Sequence, residues 1–343
     1  NLGNNPLYTH CPMDELIGQK PDVLLNLSAS PFDYTHVEDR KAILKQNTQR
    51  YRVPVIYCNA VGSQTELVFD GGSLVMDKDS NLIEQLPLFE EAISVVELTE
   101  HGTFRSATSV PAAEIPNEEL DPLQLDAQLC TAEIYQALVM GIRDYFSKMG
   151  FTKAIVGSSG GIDSAVTLAL ATEALGKENV KAVLLPSPYS SSHSVEDAIQ
   201  LSKNLGNPYD VVPIETIYQS FLQTLQPLFG NLPFSLAEEN LQSRTRGNLL
   251  MALANKFGYV LLNTSNKSEL ATGYGTLYGD MAGVLAVLGD CYKLQVYALA
   301  RYINRMQELI PSSILLKAPS AELRPGQKDS DSLPDYTILD PLL

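Results

Sequence analysis

The sequence is poor in the residues that mark metal sites and disulfide frameworks. Its 343 residues include four cysteines and four histidines. The cysteines are widely spaced, form no Cys-x-x-Cys pair, and only Cys11 has a histidine beside it. This pattern argues against a zinc site and against a disulfide framework, and it favours a reducing, cytoplasmic setting.

Long apolar runs and excess basic charge are also missing. No run approaches the roughly 20 apolar residues of a membrane span, and the first ten residues have neither the basic stretch nor the apolar core of a signal peptide. The chain begins without Met, and we interpret it as a fragment. The net charge of −16 argues against duplex nucleic acid as a partner, but not against nucleotides, which backbone amides and one cation can hold.

Residues 1–106 are expected to form one domain. The pattern of apolar residues in it predicts half of an α/β layer structure. Short apolar runs predict strands, and a charged segment with apolar residues at helical spacing predicts a helix. In chain order we predict a strand at Asp22–Ser28, a helix at His36–Tyr51, a strand at Val53–Cys58 and a hairpin at Leu67–Leu86 that turns at Asp77–Asn81.

Residues 107–123 have the composition of a linker, with three prolines and little apolar periodicity. A second domain, residues 124–343, opens with an amphipathic helix at Leu125–Met149 and then alternates strands with helices. Such alternation predicts a doubly wound parallel sheet whose ligands bind at the carboxyl ends of the strands. The predicted strands are Lys153–Val156, Val180–Leu185, Tyr209–Pro213 and Tyr259–Leu262, and the predicted helices run to Leu175 and over Ser194–Leu205, Ile214–Leu228 and Ala237–Phe257.

A glycine- and serine-rich loop connects the first of these strands to its helix. The segment Gly157-Ser-Ser-Gly-Gly-Ile-Asp-Ser164 offers backbone amides, hydroxyl donors and a helix N-terminus, all of which suit a phosphate group. Asp163 would repel phosphate unless a hard cation lay between them, so the loop predicts a site for Mg²⁺-pyrophosphate. The Gly-Lys-Ser/Thr ending of P-loop kinases is absent, which disfavours phosphoryl transfer. The alternative is an ordinary Gly/Ser turn with an aspartate cap.

This loop resembles the signature of the N-type ATP pyrophosphatases, an adenine nucleotide alpha hydrolase-like fold. Further segments, in order, are similar to the synthetase domain of glutamine-dependent NAD synthetases, and the resemblance covers about Leu125 to the end. These segments are Pro186–Ser191, Glu238–Arg246, Asn263–Glu269, Tyr278–Met281, Lys293 and Ala318–Gly326.

The resemblance implies an enzyme, a C–N ligase, that uses ATP and Mg²⁺ to adenylate the nicotinate carboxylate of deamido-NAD. Ammonia, from glutamine in the intact protein, then displaces AMP and gives NAD. It implies catalytic roles for Asp163 and Lys293, metal binding by Asp163 and Glu269, and an ATP site made of Gly157, Ser158, Ser159, Gly160, Gly161, Ile162, Asp163, Ser164, Thr264, Lys293 and Ser320. Lys317 lies on the same phosphate-contacting segment as Ser320.

Several of these assignments have structural alternatives. The resemblance places deamido-NAD at Asn240, Arg244, Glu269 and Asp280. Thr264 could equally cap the next helix, Asn240 could be a helix cap, and a lone Glu on a helix is usually solvated. The acids from Asp329 to Tyr336 could be a solvated tail. Arg246, two residues from Arg244, is expected to be a surface or interface charge.

The first part of the chain is similar to the last portion of the family's nitrilase-like glutaminase domain, so we expect a partial nitrilase-like α/β sandwich there. The segments that carry this match are Asn26–Phe32 and Tyr57–Gly62. Ser30 matches a glutamine-contacting position, while His36 stands where the family often has Lys or Arg. The family's Glu–Lys–Cys triad would precede this region, so we expect the chain as given to use ammonia and not glutamine. Cys58 is expected to be a small core residue.

Two rival functions remain open from sequence alone. One is another amidotransferase of the same ATPase group, such as GMP or asparagine synthetase, and the other is a non-catalytic nucleotide-binding scaffold. The resemblance also predicts a homodimer or larger homo-oligomer, and the apolar helix faces at Leu125–Met149 and Leu241–Phe257 support it.

Overall fold

The computed structural model describes residues 12–101, 103–106 and 131–343. These residues form two compact units, the first comprising 12–101, 103–106 and 131–145 and the second 146–343. The predicted linker at 107–123, residues 125–130 of the predicted helix, and Cys11 and Cys130 all lie outside the described residues. No helix in the described ranges is both long enough and apolar enough to cross a membrane.

The first unit is a mixed α/β structure. In chain order its elements are α1 (Pro12–Ile17), β1 (Leu24–Ser28), α2 (His36–Tyr51), β2 (Val55–Asn59), β3 (Val61–Gln64), β4 (Leu67–Asp70), β5 (Leu74–Met76), β6 (Leu82–Gln85), β7 (Val96–Leu98) and β8 (Phe104–Ser106). The main sheet has the order β1-β2-β5-β6, with β1 parallel to β2 and the other pairs antiparallel. Its core includes Leu44 of α2 with Val55, Tyr57 and Leu74 of the sheet.

The predicted hairpin at Leu67–Leu86 is only partly correct. The hairpin consists of β5 and β6 with the turn at 77–81, whereas β4 pairs with β3 in a separate ribbon. Gly71 and Gly72, both with positive φ, separate the two structures. At Gly72 φ is +60° and an added Cβ would lie 2.5 Å from Cδ2 of Leu88, whose side chain would have to shift, so this bend favours glycine.

The expectation that Cys58 is a core residue is wrong. Its neighbours Tyr57 and Asn59 are buried, and successive strand residues face opposite sides of the sheet. Cys58 is therefore exposed, as are Leu25 and Leu27 of the adjacent strand β1.

Helix α3 (Thr131–Met149) leads into the second unit. There follow β9 (Ala154–Gly157), α4 (Ile162–Leu175), β10 (Val180–Leu184), α5 (Ser192–Leu205), β11 (Tyr209–Val211), α6 (Glu215–Phe229), α7 (Leu236–Phe257), β12 (Val260–Asn263), α8 (Lys267–Thr272), β13 (Leu285–Ala286), α9 (Lys293–Ile303), α10 (Ser312–Leu316) and α11 (Tyr336–Leu339).

The second unit contains a parallel sheet with the order β11-β10-β9-β12-β13. Strands β9, β10 and β12 are buried along nearly their whole length, as expected when both faces of a parallel sheet are covered. Strand order reverses at β9, so the crevice between the carboxyl ends of β9 and β12 is the position where open α/β sheets bind ligands. The predicted doubly wound parallel sheet is confirmed.

Candidate active site

The loop after β9 is shaped by hydrogen bonds among its own serines. Ser164 Oγ accepts a hydrogen bond from Ser159 N (3.3 Å) and donates to Gly161 O (3.0 Å), while Ser159 Oγ accepts from Gly161 N (3.2 Å). Helix α4 has no side-chain cap at its N-terminus. Its first N–H groups, including that of Ile162, are therefore free to bind an anion.

Gly160 fixes how closely this loop approaches helix α5. Its φ is +77°, and a Cβ there would lie 2.2 Å from the carbonyl oxygen of Ser194. Only glycine meets both constraints, so Gly160 sets the path of the loop.

A buried lysine faces two carboxylates beside the loop. Lys293 Nζ lies 2.6 Å from Asp163 Oδ2 and 3.4 Å from Glu269 Oε1, and its side chain is 3 % exposed. Asp163 Oδ1 also accepts a hydrogen bond from Asn266 Nδ2 (2.8 Å). Three segments that are distant in sequence thus meet at the crevice: the first turn of α4, helix α8 and the first residue of α9.

The cluster carries more acid than base. Burial alone would lower the pKa of the Lys293 ammonium, but Asp163 and Glu269 outweigh it and hold that pKa well above its usual range. Burial and the charge of Asp163 raise the pKa of Glu269 despite the opposing lysine. Asp329 lies close by, and burial also raises the pKa of its carboxyl group. A site with this excess of carboxylates favours a further cation.

Within the described residues, no group of three or more His, Cys, Asp or Glu side chains is arranged to hold a metal ion. Asp163 and Glu269 nevertheless offer carboxylate oxygens at one place. Mg²⁺ commonly takes one or two carboxylates and fills its remaining positions with phosphate oxygens and water. The donor set therefore fits Mg²⁺ bound together with a polyphosphate.

These groups line a cavity of about 250 Å³ in the second unit. Of the residues predicted to form the site, it brings together Gly157, Ser158, Ser159, Gly161, Ile162, Asp163, Ser164, Thr264, Glu269, Asp280, Lys293 and Ser320. Lys317 also lines it, and its Nζ donates to Glu322 Oε1 (2.8 Å). Gly160, Asn240 and Arg244 are not among the lining residues.

Three structural alternatives are wrong. The cap of α8 is Asn266, not Thr264, because Asn266 Oδ1 accepts from Glu269 N (3.0 Å). Asn240 lies inside α7, which Ser235 caps, and its Oδ1 accepts from Thr276 Oγ1 (2.8 Å). Glu269 is not solvated surface, since it contacts Lys293 inside the cavity.

The segment from Asp329 to Tyr336 is buried at both ends, and of its acids only Asp331 and Asp335 are exposed to solvent. Asp329 is buried, and it accepts hydrogen bonds from the hydroxyls of Tyr336 (3.0 Å) and Tyr274 (3.3 Å). Tyr336 opens α11, and its ring faces the Lys293 ammonium at 5.5 Å. This segment therefore closes one side of the lysine cluster.

Of the two arginines of helix α7, Arg246 is not where the sequence predicts it. Arg244 is exposed, and its Nε donates to Leu277 O (3.2 Å). Arg246, expected at the surface, lines the cavity and donates from Nε to Leu185 O (3.0 Å). The helical spacing gave a hint of the inward position of Arg246, because Gln242, Arg246 and Leu250 are four residues apart and share one helix face. In the structure Gln242 is buried and Leu250 lines the cavity.

The candidate glutamine contacts lie in the first unit. Ser30 N donates to Asn59 Oδ1 (2.9 Å), and His36 Nδ1 lies 3.2 Å from Pro31 O at the start of α2. Buried Asp70 accepts from Asn59 Nδ2 (3.1 Å) and from Arg40 Nη1 (2.8 Å). This network holds the Ser30 segment against the sheet.

The parallel sheet and its serine-glycine loop define the second unit as an α/β nucleotide-binding domain with the loop at the sheet's switch point. The chain belongs to the NAD synthase family, whose model matches residues 134–343. The family expected from the motifs is thus confirmed.

Similar proteins agree with this assignment. A glutamine-dependent NAD(+) synthetase of Synechocystis is 49 % identical over 98 % of this chain and 58 % of its own length. The solved structure of a glutamine-dependent NAD+ synthetase from Acinetobacter baumannii in complex with ADP is 41 % identical, with a TM-score of 0.81, over 90 % of this chain and 57 % of the other. An NMN synthetase structure from Francisella tularensis is 31 % identical, with a TM-score of 0.57, over 62 % of this chain and 86 % of the other. The chain spans less than two thirds of the length of the glutamine-dependent relatives.

Proposed function

We propose that the second unit is an NAD-forming C–N ligase that uses ATP. The nicotinate carboxylate of deamido-NAD attacks the α-phosphorus of ATP, pyrophosphate leaves, and ammonia then displaces AMP from the acyl-adenylate. The observation that carries this proposal is the meeting of the uncapped Gly157–Ser164 loop with Lys293, Asp163 and Glu269 in one cavity.

The chain's own residues act by orientation and by charge. The free N–H groups at the start of α4 and the serine hydroxyls bind the pyrophosphate part of ATP. Lys293, held by two carboxylates, supplies positive charge where negative charge develops on the leaving pyrophosphate. Mg²⁺, held by Asp163 and Glu269, would neutralise further charge on the polyphosphate. No side-chain nucleophile is required.

Deamido-NAD is proposed to contact Asn240, Arg244, Glu269 and Asp280. Asn240 and Arg244 both contact the turn that contains Asp280, through Thr276 and Leu277 respectively. The backbone N–H groups of Thr276 and Met281 donate to Asp280 Oδ1, which fixes the turn. Asn240 and Arg244 thus contact the same turn as Asp280, which lines the cavity together with Glu269.

We propose that the first unit is the C-terminal portion of a nitrilase-like glutaminase domain, that residues 107–123 link it to a synthetase domain at 124–343, and that Ser30 and His36 belong to a glutamine site. The support is the segment resemblance and the A. baumannii similarity, which extends over 90 % of the chain. The free thiols of Cys58 and Cys291 suit the cytoplasm as the proposed location.

Product analysis tests the proposal. Purified chain with ATP, Mg²⁺, deamido-NAD and ammonium chloride at mildly alkaline pH should form NAD, AMP and pyrophosphate in equal amounts. Parallel reactions contain nicotinate mononucleotide, xanthosine monophosphate or aspartate in place of deamido-NAD. A preference for the mononucleotide would make the chain an NMN-forming enzyme, and a preference for either of the last two would favour GMP or asparagine synthesis. Binding of ATP without AMP formation would identify a scaffold.

A further inference from the structure

Arg246 is a positively charged residue that lines the cavity and has no role in the reaction proposed above. It projects from helix α7, and its Nε is held by the carbonyl oxygen of Leu185, just past the end of β10. Among the described residues, its two terminal nitrogens form no hydrogen bond and no ion pair. The guanidinium is therefore fixed at one edge and leaves its Nη donors to the cavity.

Burial makes the positive charge of Arg246 energetically unfavourable at this position. Burial lowers the pKa of Arg246 to about 10, against the opposing charges of Glu322 and Asp280, so the group remains protonated at neutral pH. Neither acid forms an ion pair with it: Glu322 binds Lys317, Ser191 and Ser194, and Asp280 binds its own turn. A half-buried cation without a paired anion is poised for an anionic ligand.

The order of the strands indicates which anion this is. Along the sheet, the carboxyl end of β10 lies next to that of β9, and β9 next to β12. Arg246 stands above β10, the pyrophosphate loop follows β9, and Thr264 and Glu269 follow β12. Apolar Leu185 and Val195, which follow β10 in the chain, line the cavity and suit an adenine base. The phosphate between the base and the pyrophosphate is the α-phosphate.

We propose that Arg246 binds the α-phosphate of ATP through its terminal N–H groups and keeps this contact in the acyl-adenylate and in AMP. The inference rests on the proposed ligase function. When the carboxylate oxygen bonds to the α-phosphorus, the bond from that phosphorus to the bridging oxygen breaks, and its electron pair leaves with pyrophosphate. Arg246 exchanges no proton and stabilises charge on the non-bridging oxygens.

Calorimetric titration with AMP and with adenosine tests the proposal, because the two ligands differ only in the α-phosphate. In the Arg246→Ala variant, AMP affinity should fall about 10- to 100-fold, as expected for the loss of a charge-assisted hydrogen bond, while adenosine affinity stays unchanged. Arg246→Gln retains a donor for Leu185 O and should show the same selective loss, so it decides the matter if the alanine variant does not fold. Lys256→Gln removes a charge from the same helix at an exposed position outside the cavity and should behave as wild type.

Two results would overturn the proposal. Equal losses for AMP and adenosine would mean that Arg246 only supports the fold. Unchanged AMP affinity with a raised KM for deamido-NAD would mean that it binds the substrate carboxylate instead. If wild type forms NAD but the variants keep their AMP preference, this inference fails alone. If the AMP effect is found but wild type forms no NAD, the ligase proposal fails alone.

Discussion

At the scale of single residues, the site depends on a buried lysine whose charge is shared between two carboxylates. Lys293 is 3 % exposed, so its ammonium relies on Asp163 and Glu269 to remain charged. The same carboxylates are the proposed Mg²⁺ ligands. The arrangement is consistent with a carboxylate inside the proposed phosphate-binding loop, because Asp163 is paired with Lys293.

Asp163→Asn should therefore weaken catalysis more than folding. The variant loses one charged partner of Lys293, but Glu269 remains, so we expect destabilisation of about 1.5–3 kcal/mol. AMP formation at limiting Mg²⁺ should fall roughly 100-fold or more. Steady-state rates and denaturant unfolding measure the two effects. Asp210→Asn breaks an ion pair that is partly exposed to solvent and should change neither strongly. An unchanged AMP rate in Asp163→Asn would contradict the role.

Site residues could be predicted from the sequence where a short motif identified them. They could not be predicted where the direction of a side chain determined whether it reached the cavity. Asp163 is predicted to share a metal ion with Glu269 and a catalytic role with Lys293, and the three side chains converge. Arg246 was placed at the surface because the Arg-x-Arg spacing shows only that the two side chains diverge. Which of them points inward depends on how the helix packs against β9 and β12.

Among the helices and strands, the loop after β9 is held in place because its Gly160 packs closely against the neighbouring helix α5. Gly160 packs directly on the backbone of α5. The same helix begins at Ser192, and the side chain of its cap, Ser191, accepts from Ser194 N (3.2 Å). Any side chain at residue 160 would push the phosphate loop away from that helix.

Gly160→Ala should reduce ATP affinity sharply. Its Cβ would lie 2.2 Å from Ser194 O, and this backbone atom has no easy way to move. Gly150→Ala is the matched control, since its φ is +72° and nothing lies within 4 Å of the added carbon. Both variants carry backbone strain of about 1 kcal/mol or more. ATP titration and thermal unfolding should show that only Gly160→Ala loses nucleotide binding. Similar behaviour of the two variants would contradict the close fit.

Element prediction was most reliable where apolar periodicity was strong. The helices α2 and α4 to α7 and the strands β1, β2 and β9 to β12 occur near their predicted positions. Strand β13 has only two residues, too few to show an apolar periodicity, and it was not predicted. Helix α9 was not predicted either, and it begins at Lys293, the residue assigned a phosphate role. The Leu67–Leu86 segment misled because two ribbons, joined at Gly71-Gly72, look like one hairpin in sequence.

At the scale of the whole molecule, the second unit exposes a group of leucines around the junction of α6 and α7. Leu228, Leu232 and Leu236 are 81, 76 and 69 % exposed in the single chain. Large apolar side chains grouped in this way mark interaction surfaces. Together with the family resemblance, they favour the homodimer or larger homo-oligomer predicted from the sequence. The surface differs from the helix faces expected from sequence, because its leucines lie at the helix ends and in the intervening loop.

Leu232→Asp should weaken self-association at least tenfold, since it places a charge in a surface that must lose water. Sedimentation velocity over a range of protein concentrations measures this. Met306→Asp, at a comparably exposed position outside this group of leucines, is the matched control and should leave association unchanged. A wild-type chain that remains monomeric at micromolar concentration would contradict the proposed assembly.

In the proposed reaction the substrate carboxylate becomes an acyl-adenylate. Deamido-NAD labelled with ¹⁸O in its nicotinate carboxylate tests this directly in a reaction with ATP, Mg²⁺ and ammonium. When ammonia displaces AMP, the oxygen that linked carboxyl carbon to phosphorus leaves with AMP. Mass spectrometry should therefore find one ¹⁸O atom in each AMP phosphate and none in pyrophosphate. Unlabelled AMP, or formation of ADP with label in inorganic phosphate, would contradict an acyl-adenylate intermediate.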